Sequence, residues 1–175
     1  MIVLGVDPGA GTTGYGVVAR GSGGAVSLLE CGVVRTVTHA PLPRRLRQLY
    51  DGLGEVLGRH AVDALAVEGV FYAKNVRTTL ILGHARGAVL LAAALRDLPV
   101  YEYSPAEIKS AVTGTGRATK QQIQHMVQHL LRLRTPPAPA DAADGVAVAL
   151  CHCSVGLLTA RLGALTTALG RGSSP

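Results

Sequence analysis

Tryptophan is absent from this chain of 175 residues, and phenylalanine occurs once, at Phe71. Large aromatics are therefore scarce, and the single phenylalanine stands out. Cysteine occurs three times, at Cys31, Cys151 and Cys153. An odd number without a spaced framework argues against a disulfide-stapled secreted domain. No apolar run approaches the roughly 18 residues of a membrane span. The start, Met1 to Asp7, lacks the basic residues and the small-residue cleavage site of a secretory signal. The expected compartment is thus the cytoplasm, with no membrane partner. Charged residues make up only 16% of the chain against 48% hydrophobic ones, which excludes a disordered chain and an extended charged helix. There is no internal repeat and no recognisable Ser-His-Asp set.

What is present is unevenly spread. Between Phe71 and Arg134 lie nine basic residues and three acids, so this stretch carries the whole net charge of +6. A protein that grips an anionic partner, nucleic acid above all, concentrates charge in this way. A solvated basic surface is the plainer alternative.

The pattern predicts strands over Ile2–Pro8, Thr12–Arg20 and Ala25–Val34, separated by short turns, hence an antiparallel meander. Pro43–His60 has helical periodicity. Asp63–Glu68 is a short apolar strand ending in a charge. Asn75–Arg96 is a helix, Val100–Tyr103 a strand, and Pro105–Val112 a helix capped by Ser104. Lys120–Arg134 is helical, 135–140 a proline-rich connector, and Asp141–Leu158 an alanine-rich helix. The fold class is α/β: a mixed five-stranded sheet, three antiparallel strands and then two parallel ones, with helices on both faces. One domain is expected over 1–158, with a tail over 159–175 whose end is disordered.

Four of the eleven acids sit where solubility does not explain them. Asp7 ends the first strand and Glu68 the fourth. If these strands are parallel neighbours, both carboxylates emerge at one sheet edge, where open α/β sheets place their ligands. Asp141 and Asp144 share one face at the start of the last helix. A helix crossing that edge brings all four together. Such a cluster raises its own pKa values unless cations neutralise it. Oxygen-only ligands without a nearby histidine suit Mg²⁺ or Mn²⁺. Two such ions activate a water and stabilise the leaving oxygen of a phosphodiester. Taken singly, Asp141 and Asp144 also read as first-turn helix acids, and Asp7 as a turn residue.

Several blocks, in order, resemble one family. They are Ile2-Val3-Leu4-Gly5-Val6-Asp7-Pro8-Gly9 with Thr13-Gly14-Tyr15-Gly16; Glu68-Gly69-Val70-Phe71-Tyr72-Ala73-Lys74-Asn75-Val76-Arg77; and Leu82-Gly83-His84-Ala85-Arg86-Gly87. Then come Gly114-Thr115-Gly116-Arg117-Ala118-Thr119-Lys120 with Gln124-His125-Met126-Val127, and Asp141-Ala142-Ala143-Asp144-Gly145. Together these resemble the RuvC family of bacterial Holliday junction resolvases over about residues 1–155. The resemblance implies an RNase H-like fold, a homodimer, and Mg²⁺-dependent paired nicking of four-way DNA junctions to give ligatable ends, in recombination and repair. It places the catalytic and metal-binding acids on Asp7, Glu68, Asp141 and Asp144, with two ions per subunit bridged by Asp7. It matches Phe71 to an aromatic that stacks on a junction base, and Lys109 and Lys120 to basic residues near the scissile phosphate. Lys74, Arg77 and Arg117 join them as expected DNA contacts. Partnership with the RuvA–RuvB branch-migration machinery is implied by the family alone. The three prolines of 135–140 are a departure that bears on how Asp141 reaches the metals.

Other motifs compete. Gly9-Ala10-Gly11-Thr12-Thr13-Gly14 matches G-x-G-x-x-G, with Glu30 placed as the ribose acid, but the residues after it do not make a good helix. An actin- or hexokinase-like phosphotransferase also pairs a strand-end Asp with Gly and Thr, yet needs a second domain. A non-catalytic junction binder needs the basic segment but no strand-end acids. His125 and His129, four apart on a helix, read as polar positions near DNA. Cys151-His152-Cys153 reads as ordinary core and surface positions of a helix, since i and i+2 diverge.

Overall fold

A computed structural model describes residues 1–69 and 75–170, the side chains as far as Val155. The elements are β1 (Ile2–Asp7), β2 (Thr12–Arg20), β3 (Val26–Arg35), α1 (Leu42–Arg59), β4 (Ala64–Glu68), α2 (Val76–Ala94), β5 (Val100–Tyr103), α3 (Pro105–Thr113), α4 (Lys120–Leu130) and α5 (Ala140–Gly170). The sheet runs β3-β2-β1-β4-β5. The first three strands pair antiparallel, and β4 and β5 lie parallel to β1. The mixed five-stranded α/β architecture expected from the sequence is the one observed.

Period-two alternation divides the core in two. Leu4, Val6, Val17, Leu65 and Val67 face α1 and α2, where they pack on Leu49, Leu53, Val56 and Val89. Val3, Val18 and Ala66 face α3, α4 and α5, where Val127 and Val146 to Leu150 meet them. Asp7 follows the phase of Val3 and Gly5, and Glu68 that of Ala66. Both acids therefore end their strands on the α5 face.

Helix α5 lies against the sheet with almost nothing between the two main chains. A Cβ on Gly5 would stand 2.8 Å from the Ala149 Cβ, one on Gly16 2.6 Å from the Val146 Cα, and one on Gly145 2.6 Å from Tyr15 backbone atoms. Any side chain at these positions would lift the helix.

Two helix ends differ from expectation. The last helix continues past Leu158 to Gly170. The fourth stops at Leu130 rather than Arg134, because Arg132 takes a positive φ of 52° and the Gln128 amide donates to the Leu133 and Arg134 carbonyls. Leucines at 130, 131 and 133 extend the apolar pattern beyond the point where the backbone turns.

Candidate active site

Three of the four acids meet in one cavity of 260 Å³. Asp7 and Glu68 form its floor because β1 and β4 are parallel, with Val6 opposite Val67. Asp144 enters from the first turns of α5, where Ala142 and Ala143 are fully buried against the sheet. Asp141 stands one turn earlier, at the rim and half exposed. Lys109 comes from α3, whose start is fixed by a reciprocal Ser104–Glu107 capping box. Lys120 comes from the first position of α4, behind a second capping box of Thr119 and Gln122. Pro105, Ile108, Ile123 and Ala147 complete an apolar wall.

The wall and the neighbouring charges set the protonation of the floor. Burial, then the charge of Asp144, raise the Asp7 carboxyl above its ordinary value. Burial, then the charge of Asp7, push Glu68 up to about 8. The contact between the two raises Glu68 further and partly offsets the rise at Asp7. This is what two carboxylates do when packed together without enough positive charge. Lys120 supplies part of it: its Nζ donates to Asp144 Oδ2 at 2.7 Å and lies 3.7 Å from Asp141 Oδ1.

The donor set is oxygen-only and electrostatically coupled, which suits a hard divalent cation. As the side chains stand, no three acids, histidines or cysteines among the described residues converge closely enough to hold an ion. The place between Asp141 and Asp144 is taken by the Lys120 ammonium.

The family model for "Crossover junction endodeoxyribonuclease RuvC" matches residues 3–152. This chain belongs to the RuvC family. The RuvC protein of Pelotomaculum thermopropionicum is 49% identical over 152 residues, 87% of this chain and 92% of its own. That of Vibrio vulnificus is 47% identical over 171 residues, 98% of this chain and 97% of its own. The solved structure described as T. thermophilus RuvC in complex with Holliday junction substrate superposes with a TM-score of 0.85 at 37% identity, covering 91% of this chain and 96% of that one.

The other positions singled out in this RuvC-family chain are distributed around that cavity. Arg77, at the start of α2, and Arg117, in the loop before α4, are exposed and outside its lining. Phe71 and Lys74 lie outside the described residues. His125 and His129 line a separate surface hollow with Gln128 and Arg132. The expected mixture of core and surface at Cys151-His152-Cys153 is corrected: all three are buried, because α5 has the sheet on one side and α3 and α4 on the other. Glu30 is no ribose acid. It accepts from the Tyr15 hydroxyl and Arg59 and pairs with His60, while the residues after Gly14 form a strand. Among the described residues no helix is long and apolar enough to cross a membrane.

The sequence left two parts of the site unnamed. One is the apolar wall, to which no motif in the sequence assigns Ile108 and Ile123. The other is the pairing of Lys120 with the α5 acids, 21 and 24 residues away, which no local pattern signals.

Proposed function

We propose that this chain resolves Holliday junctions: it is a crossover junction endodeoxyribonuclease that nicks two opposed strands of a four-way DNA junction symmetrically and leaves ligatable ends. Membership of a family of divalent-metal-dependent nucleases supports the reading. The observation that carries it is the cavity in which two half-buried strand-end carboxylates meet Asp144 beside two lysines. A non-catalytic junction binder has no use for acids held against their own repulsion.

In this mechanism Asp7, Glu68, Asp141 and Asp144 would hold the divalent ions, two of Mg²⁺ or Mn²⁺ per subunit. When bound, such ions supply an activated water and a counter-charge for the leaving oxygen. A cation held beside Glu68 would favour its ionised form. Lys109 and Lys120 offset the charge that builds on the phosphate. Ile108, Ile123 and Pro105 narrow the cavity and lower its dielectric, which strengthens each of these interactions. Phe71, three residues after Glu68, stacks on a base where the junction opens, and Lys74, Arg77 and Arg117 hold flanking phosphates. The nuclease unit is 1–158, with 159–175 as a tail beyond it.

Two opposed nicks call for two active sites, hence a homodimer whose dyad matches that of the junction. A face of α2 supports this. Val76, Leu80, Leu91 and Leu95 are more than half exposed, and an apolar groove lies between α1 and α2. A second copy of this chain covers that face. RuvA–RuvB remains the partner complex expected by family. The test is a synthetic four-way junction with and without Mg²⁺, against linear duplex. Mg²⁺-dependent paired cuts in the junction alone are expected; no cutting, or equal cutting of the duplex, overturns the reading.

A further inference from the structure

Lys120 stands where the local rules of helix formation disfavour it. It opens α4 at the end where the aligned peptide dipoles are positive, and the first turn holds no acid to compensate. A residue that breaks a local rule is compensated elsewhere in the fold. Here the compensation comes from α5. The ammonium lies 2.7 Å from Asp144 and 3.7 Å from Asp141, and its charge also reaches Asp7. The side chain is nevertheless 53% exposed, so it is held by charge rather than by packing.

We infer that Lys120 is an exchangeable counter-cation: in the metal-free protein its ammonium balances Asp141 and Asp144, divalent ions displace it, and the freed side chain then turns to the DNA phosphate. The inference rests on the active-site reading above and adds an order of events to it. A hard divalent cation needs carboxylate oxygens in its own coordination shell. A divalent ion held by Asp144 would stand close to the Lys120 ammonium, 2.7 Å from the same carboxylate, and the two like charges repel. Lysine suits the exchange, being a point charge on a four-carbon stem. The two tasks are thereby coupled. Before the ions bind, Lys120 is engaged with protein acids; afterwards it is available to substrate.

The chain has only three lysines, Lys74, Lys109 and Lys120, which makes the exchange directly visible. In protein labelled with ¹³C-lysine, three ε-methylene signals are expected, assigned by single Lys→Arg variants. Titrating Mg²⁺ without DNA should move the Lys120 signal and leave that of Lys74 in place. A Lys120 signal that stays put overturns the inference. Calorimetry gives an independent arm. With its competitor removed, Lys120→Met should bind Mn²⁺ about two- to fivefold more tightly than wild type, the range expected for losing a partly exposed ion pair. Unchanged or weaker binding by Lys120→Met also overturns it. Asp7→Asn separates the two failures. If wild type binds Mn²⁺ and Asp7→Asn does not, the site stands whatever Lys120 does. If wild type takes up no Mn²⁺, both readings fall.

Discussion

The hydroxyl of Tyr103 and Nδ1 of His152 lie 2.7 Å apart inside the protein, joining the last residue of β5 to the middle of α5. The link matters for the site because both ends lead to it. The Tyr103 carbonyl accepts from the Gly69 amide, one residue beyond Glu68, and α5 carries Asp141 and Asp144. Burial holds the imidazole below its usual pKa, and burial pushes the Tyr103 phenol up to about 12, so the pair is neutral. Tyr103→Phe leaves the ring nitrogen buried without a partner. The expected cost is about 1–3 kcal/mol by urea unfolding. A variant as stable as wild type would show that the link holds nothing.

The contact of Gly145 with the Tyr15 backbone gives a second expectation. Gly145→Ala places a methyl group 2.6 Å from main-chain atoms that cannot move aside. Overpacking of this kind costs about 1–3 kcal/mol. Because the helix that shifts bears two of the acids, nicking should fall further than the loss of folded protein accounts for. Cutting rates at a temperature where the variant is fully folded decide this.

Asp7→Asn keeps the shape of the side chain and removes its charge. Junction cutting should be abolished while junction binding, measured by mobility shift, stays close to wild type. Cutting within about tenfold of wild type at saturating Mg²⁺ would remove Asp7 from the chemistry.

Lys109, Arg117 and Arg77 are tested through salt. Each alanine substitution at a phosphate contact should lower the slope of log K against log salt by about 0.9. The affinity lost should be similar across junction sequences, since phosphates carry no base identity. An unchanged slope in all three would return the basic segment to a solvated surface.

Acidity should act on the metal-free protein in two opposite ways. Glu68 has its pKa raised from 4.5 to about 8 in the fold, so its contribution is fully present below 4.5 and is lost as pH climbs through 8. Glu30 is lowered from 4.5 to about 2, chiefly by its hydrogen bond with Arg59, so its contribution is present above 4.5 and is lost as pH falls towards 2. In EDTA, the melting temperature should therefore decline on both sides. Glu68→Gln should flatten the alkaline side alone and Glu30→Gln the acid side alone; melting curves across pH for the three proteins check both.

Much of this architecture is legible before any coordinates. The apolar runs Ile2–Asp7 and Ala64–Glu68, each ended by a carboxylate, point to parallel neighbours and to the floor of the site. The spacing of Asp141 and Asp144 carries the helix face. Where reading fails, the cause is non-local. Cys151-His152-Cys153 looks amphipathic only if α5 is assumed to have a wet side, and it has none there. The end of α4 depends on a side-chain amide reaching past the helix, not on the leucines around it. The partner of Lys120 is set by how α4 docks on α5, which no window of sequence contains.

The glycine-lined seat of α5 has one more consequence. Main chain rests on main chain there, so the backbone separation between the strand ends that bear Asp7 and Glu68 and the turns of α5 that bear Asp141 and Asp144 is set by direct contact. The opposite side of the cavity is built differently: Lys109, Lys120, Ile108 and Ile123 reach in on side chains from two short helices. The acids thus stand on a rigid base, whereas the α3–α4 side of the cavity is the one that changes of side chain can reshape. Attempts to broaden or redirect the cutting should begin with that side.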